Sequence, residues 1–445
     1  MNNLFNGKSS VIRGVSSNAA EQKATYRFLD NENVTEPELI KACCERTGQL
    51  CKGKHVLVLS DTTEINLQRH IGRLEQDSGV GLVGNNRDIG FFAHLGLVID
   101  AEAYQALGFS SIQLWHRPET KESKEQRDYD NLPIEDKESY KWIGCGKDSK
   151  ELLKDAESIT VISDRESDIY EMFTDLPDGK THLIIRSRFN RYTEEGSRIY
   201  ERLEKSTAAG SYTIDIGENL RRKTQKRTAK LEVKYCEVFI KKPGKKKGKD
   251  EREEQIKIWV VEAKETGKTN GVCWRLLTTH KIESFTDALQ VIQWYRARWW
   301  IEEVFRLLKS KGYQIEDSQL ENGWAIRKLT IMILQTILRV MQMLVAYHSN
   351  EKQDAKIAFT EDEIVCLEKV GKQNEGKSEK LKNPSIKGTL KWAAWIIARL
   401  GGWKGYESQR NPGPITIKNG LDKFQNIYNG WCIAMATLEE DVGTQ

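Results

Sequence analysis

What is missing from this 445-residue chain narrows it first. Its eight cysteines (Cys43, Cys44, Cys51, Cys145, Cys236, Cys273, Cys366 and Cys432) form no CxxC pair and no zinc-like Cys/His spacing. No signal peptide opens the chain, so they read as reduced thiols of a cytoplasmic protein rather than as a disulfide framework. Its apolar runs read as core rather than as membrane spans. The strongest, Leu329 to Tyr347, is interrupted by Thr330, Gln335, Thr336, Arg339 and Gln342 and reads as a buried helix. The net charge is only +4, so a polyanion must be held by local patches of cations. What remains is 38% hydrophobic and 30% charged with 12 Trp, a globular chain with a sizeable core. Its length allows two or three domains, or one large domain with an insertion.

Taken in order, residues 1–20 are polar and irregular, and Ala20 to Cys44 reads as helical. Asn31 to Asn33 make a turn, and Thr35 caps a second segment with Pro37 in its first turn. Strand-like runs follow at His55–Ser60, Gly90–Asp100 and Phe109–Trp115. A loop rich in Asp and Lys spans Arg117–Asp136, and Glu138–Asp155 is helical. Ser158–Ser163 is a strand running into Asp164-Arg-Glu-Ser-Asp168, a helix follows through Phe173, and His182–Arg186 is a fifth strand. Three strands followed by alternating helix and strand predict an α/β fold with a mixed sheet. From about Arg191 to Leu277 the texture turns to β alternation, at Tyr212–Ile216, Leu231–Ile240 and Ile256–Val261. Between Arg221 and Lys249 thirteen Lys or Arg stand against two Glu; alone, Lys241–Lys249 reads as a solvated loop, but hairpins carrying cations suit a phosphate backbone. Ser349–Lys387 reads as a polar linker. A last helical unit begins at Gly388, with Trp392, Trp395, Ile396 and Leu400 at helical spacing and Gly401-Gly402 as its stop.

The chemistry gathers around Tyr295–Lys309. At helical periodicity Tyr295, Arg298, Glu302, Arg306 and Lys309 share one face, and Trp300, Ile301, Val304, Leu307 and Leu308 lie roughly opposite. A single carboxylate, Glu302, therefore sits among three cations and a phenol, either as a solvated face of ion pairs or as a metal ligand beside phosphate-binding groups. Asp61 and Asp164 each follow a predicted strand. Either one alone reads first as a cap or turn residue. Together with Glu302 they are three hard oxygen donors that suit Mg²⁺ or Mn²⁺ and phosphodiester chemistry.

In its motifs the chain resembles the insertion-sequence-four family of DDE transposases, from about residue 17 to the C-terminal region. The resemblance rests on Ala24-Thr-Tyr-Arg-Phe28 with Asn31-Glu-Asn-Val34, Ser60-Asp-Thr-Thr63, Lys137-Glu-Ser139 with Lys141-Trp142, and Ser163-Asp-Arg-Glu-Ser-Asp168. It continues in Trp274-Arg-Leu-Leu-Thr278, in the spaced set Tyr295, Arg298, Glu302 and Lys309, and in Leu390-Lys-Trp392 with Ile397-Ala-Arg-Leu-Gly-Gly402. The fold it implies is an RNase H-like core of the retroviral-integrase type over residues 46–348, with a β-rich basic insertion at 190–278. A partial N-terminal helical DNA-binding region (1–45), a linker (349–387) and a C-terminal helical dimerisation domain (388–445) complete the expectation.

The resemblance further implies Asp61, Asp164 and Glu302 as ligands of two Mg²⁺ or Mn²⁺ ions per active site. It places Tyr295, Arg298 and Lys309 on phosphates near the cut end, with Arg306 on the same face. Arg186 and Arg165 match DNA-contacting positions, Arg27 one that touches the transposon end, and Trp274 an aromatic that stacks on a flipped-out base. The implied partners are double-stranded DNA (terminal repeats and target) and a second copy of the chain, with no membrane. The implied reaction is cut-and-paste transposition of a bacterial insertion sequence: a nick, a hairpin, hairpin opening and strand transfer, acting at the nucleoid. No covalent protein–DNA intermediate is required, and no Ser, Tyr or Cys stands out as a nucleophile. The front of the chain departs from the family, whose end-recognising N-terminal region is longer. The alternative is thus a shortened, non-catalytic inhibitor that pairs with a full-length transposase. A resolvase-like or repair nuclease would explain the carboxylates but not Trp274 or the C-terminal match.

Overall fold

The computed structural model describes residues 10, 12, 18–75, 77–118, 132–217, 225–244, 251–268, 271–310, 312–348, 352–406 and 410–442. Most of the expected loop at Arg117–Asp136 and the basic tracts at 221–224 and 245–249 lie outside them.

Two helices open the described chain, α1 (Ala19–Asp30) and α2 (Glu36–Leu50). Thr35 starts α2 with a reciprocal capping box, its hydroxyl accepting from the Glu38 N–H while the Glu38 carboxylate accepts from the Thr35 N–H. Strands β1 (His55–Asn66), β2 (Gly81–Leu82), β3 (Ile89–Asp100) and β4 (Ala106–Trp115) come next. Then α3 (Tyr140–Leu152), β5 (Ser158–Ser163), α4 (Tyr170–Asp175) and β6 (Thr181–Arg186) alternate, as the pattern predicts. The β-rich stretch supplies β7 (Gly210–Ile216), β8 (Arg227–Lys241), β9 (Gln255–Glu265) and β10 (Cys273–Thr278), and holds a short helix, α5 (Ile199–Lys205), that the alternation did not suggest.

The ten strands form one mixed sheet in the order β2-β3-β1-β5-β6-β10-β9-β8-β7, with β4 also paired to β3. β1 is antiparallel to β3 and parallel to β5, which is parallel to β6. β10 closes onto β6, so the β-rich stretch extends this sheet rather than forming a second one. Both faces are buried. Leu57 and Leu59 of β1 with Ile162 of β5 face one core, and Val56, Val58, Ile159 and Val161 face the other. Period-2 alternation alone assigns those sides.

The first core is closed by α6 (Phe285–Ala297), α7 (Trp299–Lys309) and α8 (Gly323–His348), and the second by α3 to α5. The apolar run at 329–347 lies in α8, which is long and apolar enough to cross a membrane, yet 83% of its most apolar window is buried inside the molecule. It touches α1, α2, β4 and α7, and also α10 (Leu390–Leu400) and α11 (Pro414–Val442). The expected linker contains a 14-residue helix, α9 (Glu361–Asn374), started by a Thr360/Glu363 capping box and buried through Cys366, Leu367 and Val370. A capping box followed by apolar residues at i, i+1 and i+4 is a helix signal that the surrounding charge obscured.

Candidate active site

Alternation carries Leu57 and Leu59 to Asp61 on one face of β1, and carries Ile162 to Asp164 just past β5 on the same face. Asp61 does not lie beyond its strand, as expected, but inside it. β1 keeps pairing with β3 as far as Asn66 opposite Gly90, whereas its pairing with β5 stops at Leu59 opposite Ile162. The strand therefore runs on with one edge open, and Asp61 stands at that opening, beside the residue where β5 gives way to a 3₁₀ turn (Arg165–Ser167).

Glu302 arrives from the other side on α7. Tyr295–Lys309 is not one continuous helix: α6 ends at Ala297, and Arg298 separates it from α7. The Arg298 N–H bonds back to the Tyr295 carbonyl at 3.1 Å, a tight i−3 turn. Ile301, Val304, Leu307 and Leu308 are buried as the periodicity predicts, and Trp299 is exposed.

Arg298 is the hinge of the site. Its guanidinium donates to Asp61 Oδ2 at 2.6 Å and to Glu302 Oε1 at 2.5 Å, and is itself nearly covered, with 13% side-chain exposure. The Tyr295 hydroxyl points to Asp164 Oδ1 at 3.4 Å. The other Asp61 oxygen accepts from the Thr62 N–H at 2.8 Å. Burial pushes the Asp61 carboxyl up to about 6; Arg298 and the Thr62 N–H oppose the rise, while Asp164 and Glu302 add to it. Burial and the Asp164 charge likewise raise the Tyr295 phenol. Although burial disfavours its charge, Arg298 is held more basic than usual by Asp61, Tyr295, Asp164 and Glu302.

Among the described residues no three His, Cys, Asp or Glu side chains stand together as a ready metal-binding group. The donor chemistry nevertheless fits a hard divalent cation: three carboxylate residues and a phenol, no sulfur and no imidazole, with a surplus of negative charge met by one guanidinium. Arg298, bridging two of the carboxylates, is the resident cation of this conformation.

The remaining predicted residues divide. Lys309 reaches the same edge of β1, donating to the Glu64 carbonyl at 2.6 Å and pairing with Glu316 at 3.1 Å. Arg306 turns away to Glu303 and lines a separate cavity of about 590 Å³ with Trp299 and Arg410. Trp274 packs half-buried on β10, its ring 6.5 Å from that of Tyr295. Arg186 ends β6 close enough to influence Tyr295, and Arg165 is exposed directly after Asp164. Arg27 is exposed on α1, which packs on α8.

Three supporting residues have roles that the sequence reading does not assign, although Asp168 stands in one of its motifs. Asp168 is fully buried and accepts from the Arg188 and Phe189 N–H groups and from Arg191, fixing the loop beyond β6. Glu316 takes Lys309 and also accepts the Asn66 N–H. His94, on β3 opposite Thr62, accepts no solvent at all and is held between the Ser60 and Thr62 hydroxyls. Only strand register could have revealed it.

Residues 146–339, under half of the chain, match the family model of the transposase DDE domain. The matched span holds Asp164, Tyr295, Arg298 and Glu302 and begins after Asp61. It supports transposase function of the DDE type. Among solved structures the chain is similar to the piggyBac transposase synaptic complex with hairpin DNA, at 10% identity and a TM-score of 0.35, over 72% of this chain and 55% of that one. The chain thus spans about half the length of that transposase.

Proposed function

We propose that the chain is a DDE transposase of the insertion-sequence-four type, which cuts and rejoins DNA with the aid of divalent metal ions bound at Asp61, Asp164 and Glu302. What carries this reading is the convergence of carboxylates from positions 61, 164 and 302, far apart in sequence, around Arg298 and Tyr295. The run of three antiparallel strands, β1, β3 and β4, followed by β5 and β6 parallel to β1, fits the RNase H-like core that the motifs imply.

When bound, Mg²⁺ or Mn²⁺ would activate a water or a 3′-hydroxyl and stabilise the leaving oxygen of a phosphodiester. The chain's own groups do the rest. Asp61 is fixed by the Thr62 N–H with its second oxygen free to change partners, and Glu302 on α7 faces it across Arg298. Released from the carboxylates, the Arg298 fork can take a phosphate by two parallel hydrogen bonds. Lys309, farther along the same edge of β1, adds a point charge, and the Tyr295 hydroxyl a further donor. The nick, hairpin, hairpin opening and strand transfer, the pairing of two copies, the stacking role of Trp274 and the DNA contacts of Arg27, Arg165, Arg186 and Arg306 belong to this same proposal.

The test is cleavage of linear DNA carrying the element's terminal repeat, with Mg²⁺, beside Glu302→Ala. The side chain of Glu302 is one-third exposed, so its loss is expected to abolish cleavage while leaving the thermal unfolding profile intact. Full cleavage by a folded Glu302→Ala protein would remove Glu302 from the metal site.

A further inference from the structure

Asp61 sits on a stretch of strand that is paired on one side only. From Ser60 onward β1 has lost β5, and β3 is the only described strand that residues 60–66 still pair with. On the open edge Lys309 and Glu316 hold the Glu64 carbonyl and the Asn66 N–H, but among the described residues no such group holds the backbone at Asp61. A carboxylate that must present one oxygen to a ligand needs its backbone held more firmly than a single ladder provides, particularly where the opposite edge has to admit a substrate. Behind Asp61, on the other face of the sheet, the structure supplies such a hold.

Ser60 and Thr62 flank Asp61, and alternation turns both toward the second core. There they meet one ring. His94 Nε2 lies 3.0 Å from Ser60 Oγ, and His94 Nδ1 lies 2.8 Å from Thr62 Oγ1. The Ser60 hydroxyl donates onward to Cys145 Sγ at 3.6 Å, so it accepts from Nε2–H and leaves Nδ1 to accept from Thr62. The hydrogen bonds thus run in one direction, from Thr62 through the imidazole to Ser60 and Cys145, with every polar atom of the buried ring used. Trp142 closes over the ring edge-on, with centroids 4.6 Å apart. The link to the site is short: the backbone N–H of Thr62, whose side chain is pinned to His94, is the group that holds Asp61 Oδ1.

We propose that His94 is a positioning residue of the active site: by clamping the hydroxyls on either side of Asp61 from the opposite face of the sheet, it fixes the Asp61 carboxylate for the metal ion. The inference rests on the metal-binding reading above. Outer partners that orient a metal ligand typically contribute 10- to 100-fold in metal affinity when lost, and the ring acts here at one remove from the carboxylate.

The experiment measures Mn²⁺ affinity, from the paramagnetic resonance signal of free Mn²⁺, together with thermal unfolding for each protein. His94→Phe keeps a flat ring and removes both hydrogen bonds; Ser60→Ala with Thr62→Val keeps the histidine and removes its partners; His94→Gln restores one donor and one acceptor. The expected result is Mn²⁺ binding weakened about tenfold or more in His94→Phe and in the Ser60/Thr62 double variant, with substantial recovery in His94→Gln. A merely structural ring would lower the unfolding temperature without changing the affinity of the folded protein. Folded variants that bind Mn²⁺ like the parent would overturn the inference, and so would a double variant that fails to fold. Mn²⁺ binding by the parent that Asp61→Ala leaves unchanged would instead overturn the metal site itself, a distinct result.

Discussion

At the scale of single residues, the site is governed by a shortage of positive charge. Arg298 is shared by Asp61 and Glu302, with Asp164 close by, and the Asp61 carboxyl is pushed by burial to about 6 from an ordinary 3.8. Because the folded value is raised, the folded chain holds this proton more tightly than the unfolded chain between those two values. The stability that protonation contributes is present below the ordinary value and is lost as pH rises through about 6. Metal binding needs the ionised form and so has the opposite pH dependence. Mn²⁺ affinity through Asp61 is expected to be level above pH 7 and about tenfold weaker at pH 5. Titrations at several pH values check this; a midpoint near 4 would mean an ordinary carboxylate. Since the guanidinium opposes the rise, Arg298→Gln should move the midpoint upward. Much of this was legible in the sequence. Ser-Ile-Thr-Val-Ile-Ser delivers Asp164 to the end of a strand, and the spacing of Arg298 and Glu302 makes them neighbours on a helix. The placement of Asp61 was not legible, because its strand continues through non-local pairing with β3, which no local signal at Asp61-Thr-Thr63 announces. His94 was hidden for the same reason: it matters only through the register that sets it opposite Thr62.

At the scale of elements, the helices are located by a few strong contacts that sequence periodicity does not encode. Helix α1 carries Arg27 and is held at its end by Lys328 of α8, whose buried ammonium donates to the Leu29 and Asn31 carbonyls at 3.0 and 2.9 Å. A cation at a helix C-terminus satisfies carbonyls that otherwise lack partners. Lys328→Met keeps the apolar stem and leaves both carbonyls without this donor, at a cost of about 2 kcal/mol. Hydrogen exchange over residues 19–30 should speed up more than over β1. Uniform acceleration across the chain would mean that Lys328 serves the core as a whole. Helices α10 and α11 are joined differently, by direct backbone approach. A Cβ added at Gly420 would fall 1.9 Å from the Ile397 carbonyl oxygen, and one added at Gly401 would fall 1.9 Å from that of Thr416. Gly420→Ala must push the pair apart and is expected to cost about 1–3 kcal/mol, seen as a lower urea midpoint. An unchanged midpoint would mean that the crossing yields without loss. The sequence marked Gly401 as a helix stop, which it is; its second use, as a contact surface, depends on a helix that follows in the chain and packs back. The break at Arg298 was equally unmarked, since no glycine or proline lies between Tyr295 and Lys309.

At the scale of the whole molecule, the chain divides less readily than its composition suggests. The polar stretch before Gly388 resembles a boundary, and the last helices an appended unit. Yet Trp392, Trp395 and Ile396 of α10, together with Ile417 and Phe424 of α11, belong to the same apolar cluster as Leu59 of β1, Val304 of α7 and Leu334 of α8. Two buried ion pairs reinforce the junction. Arg339 of α8 meets Glu363 of α9 at 2.7 Å, and Lys418 meets Asp422 within α11 at 3.0 Å, with the Lys418 ammonium over the buried Tyr313 ring. Removing one side of such contacts leaves buried charge and open apolar surface on the other. Helix α8, which α10 and α11 pack against, also packs against α7, the helix that presents Glu302. Loss of the covering helices should therefore reach the active site through α8. A chain ending at residue 387 is expected to lose the cooperative unfolding of the full chain and to bind hydrophobic dyes, whereas the intact chain unfolds in a single calorimetric transition. Two separate transitions in the intact chain, with the shortened chain keeping the first of them, would instead make the C-terminal helices an independent domain, attached to the catalytic body rather than completing its core.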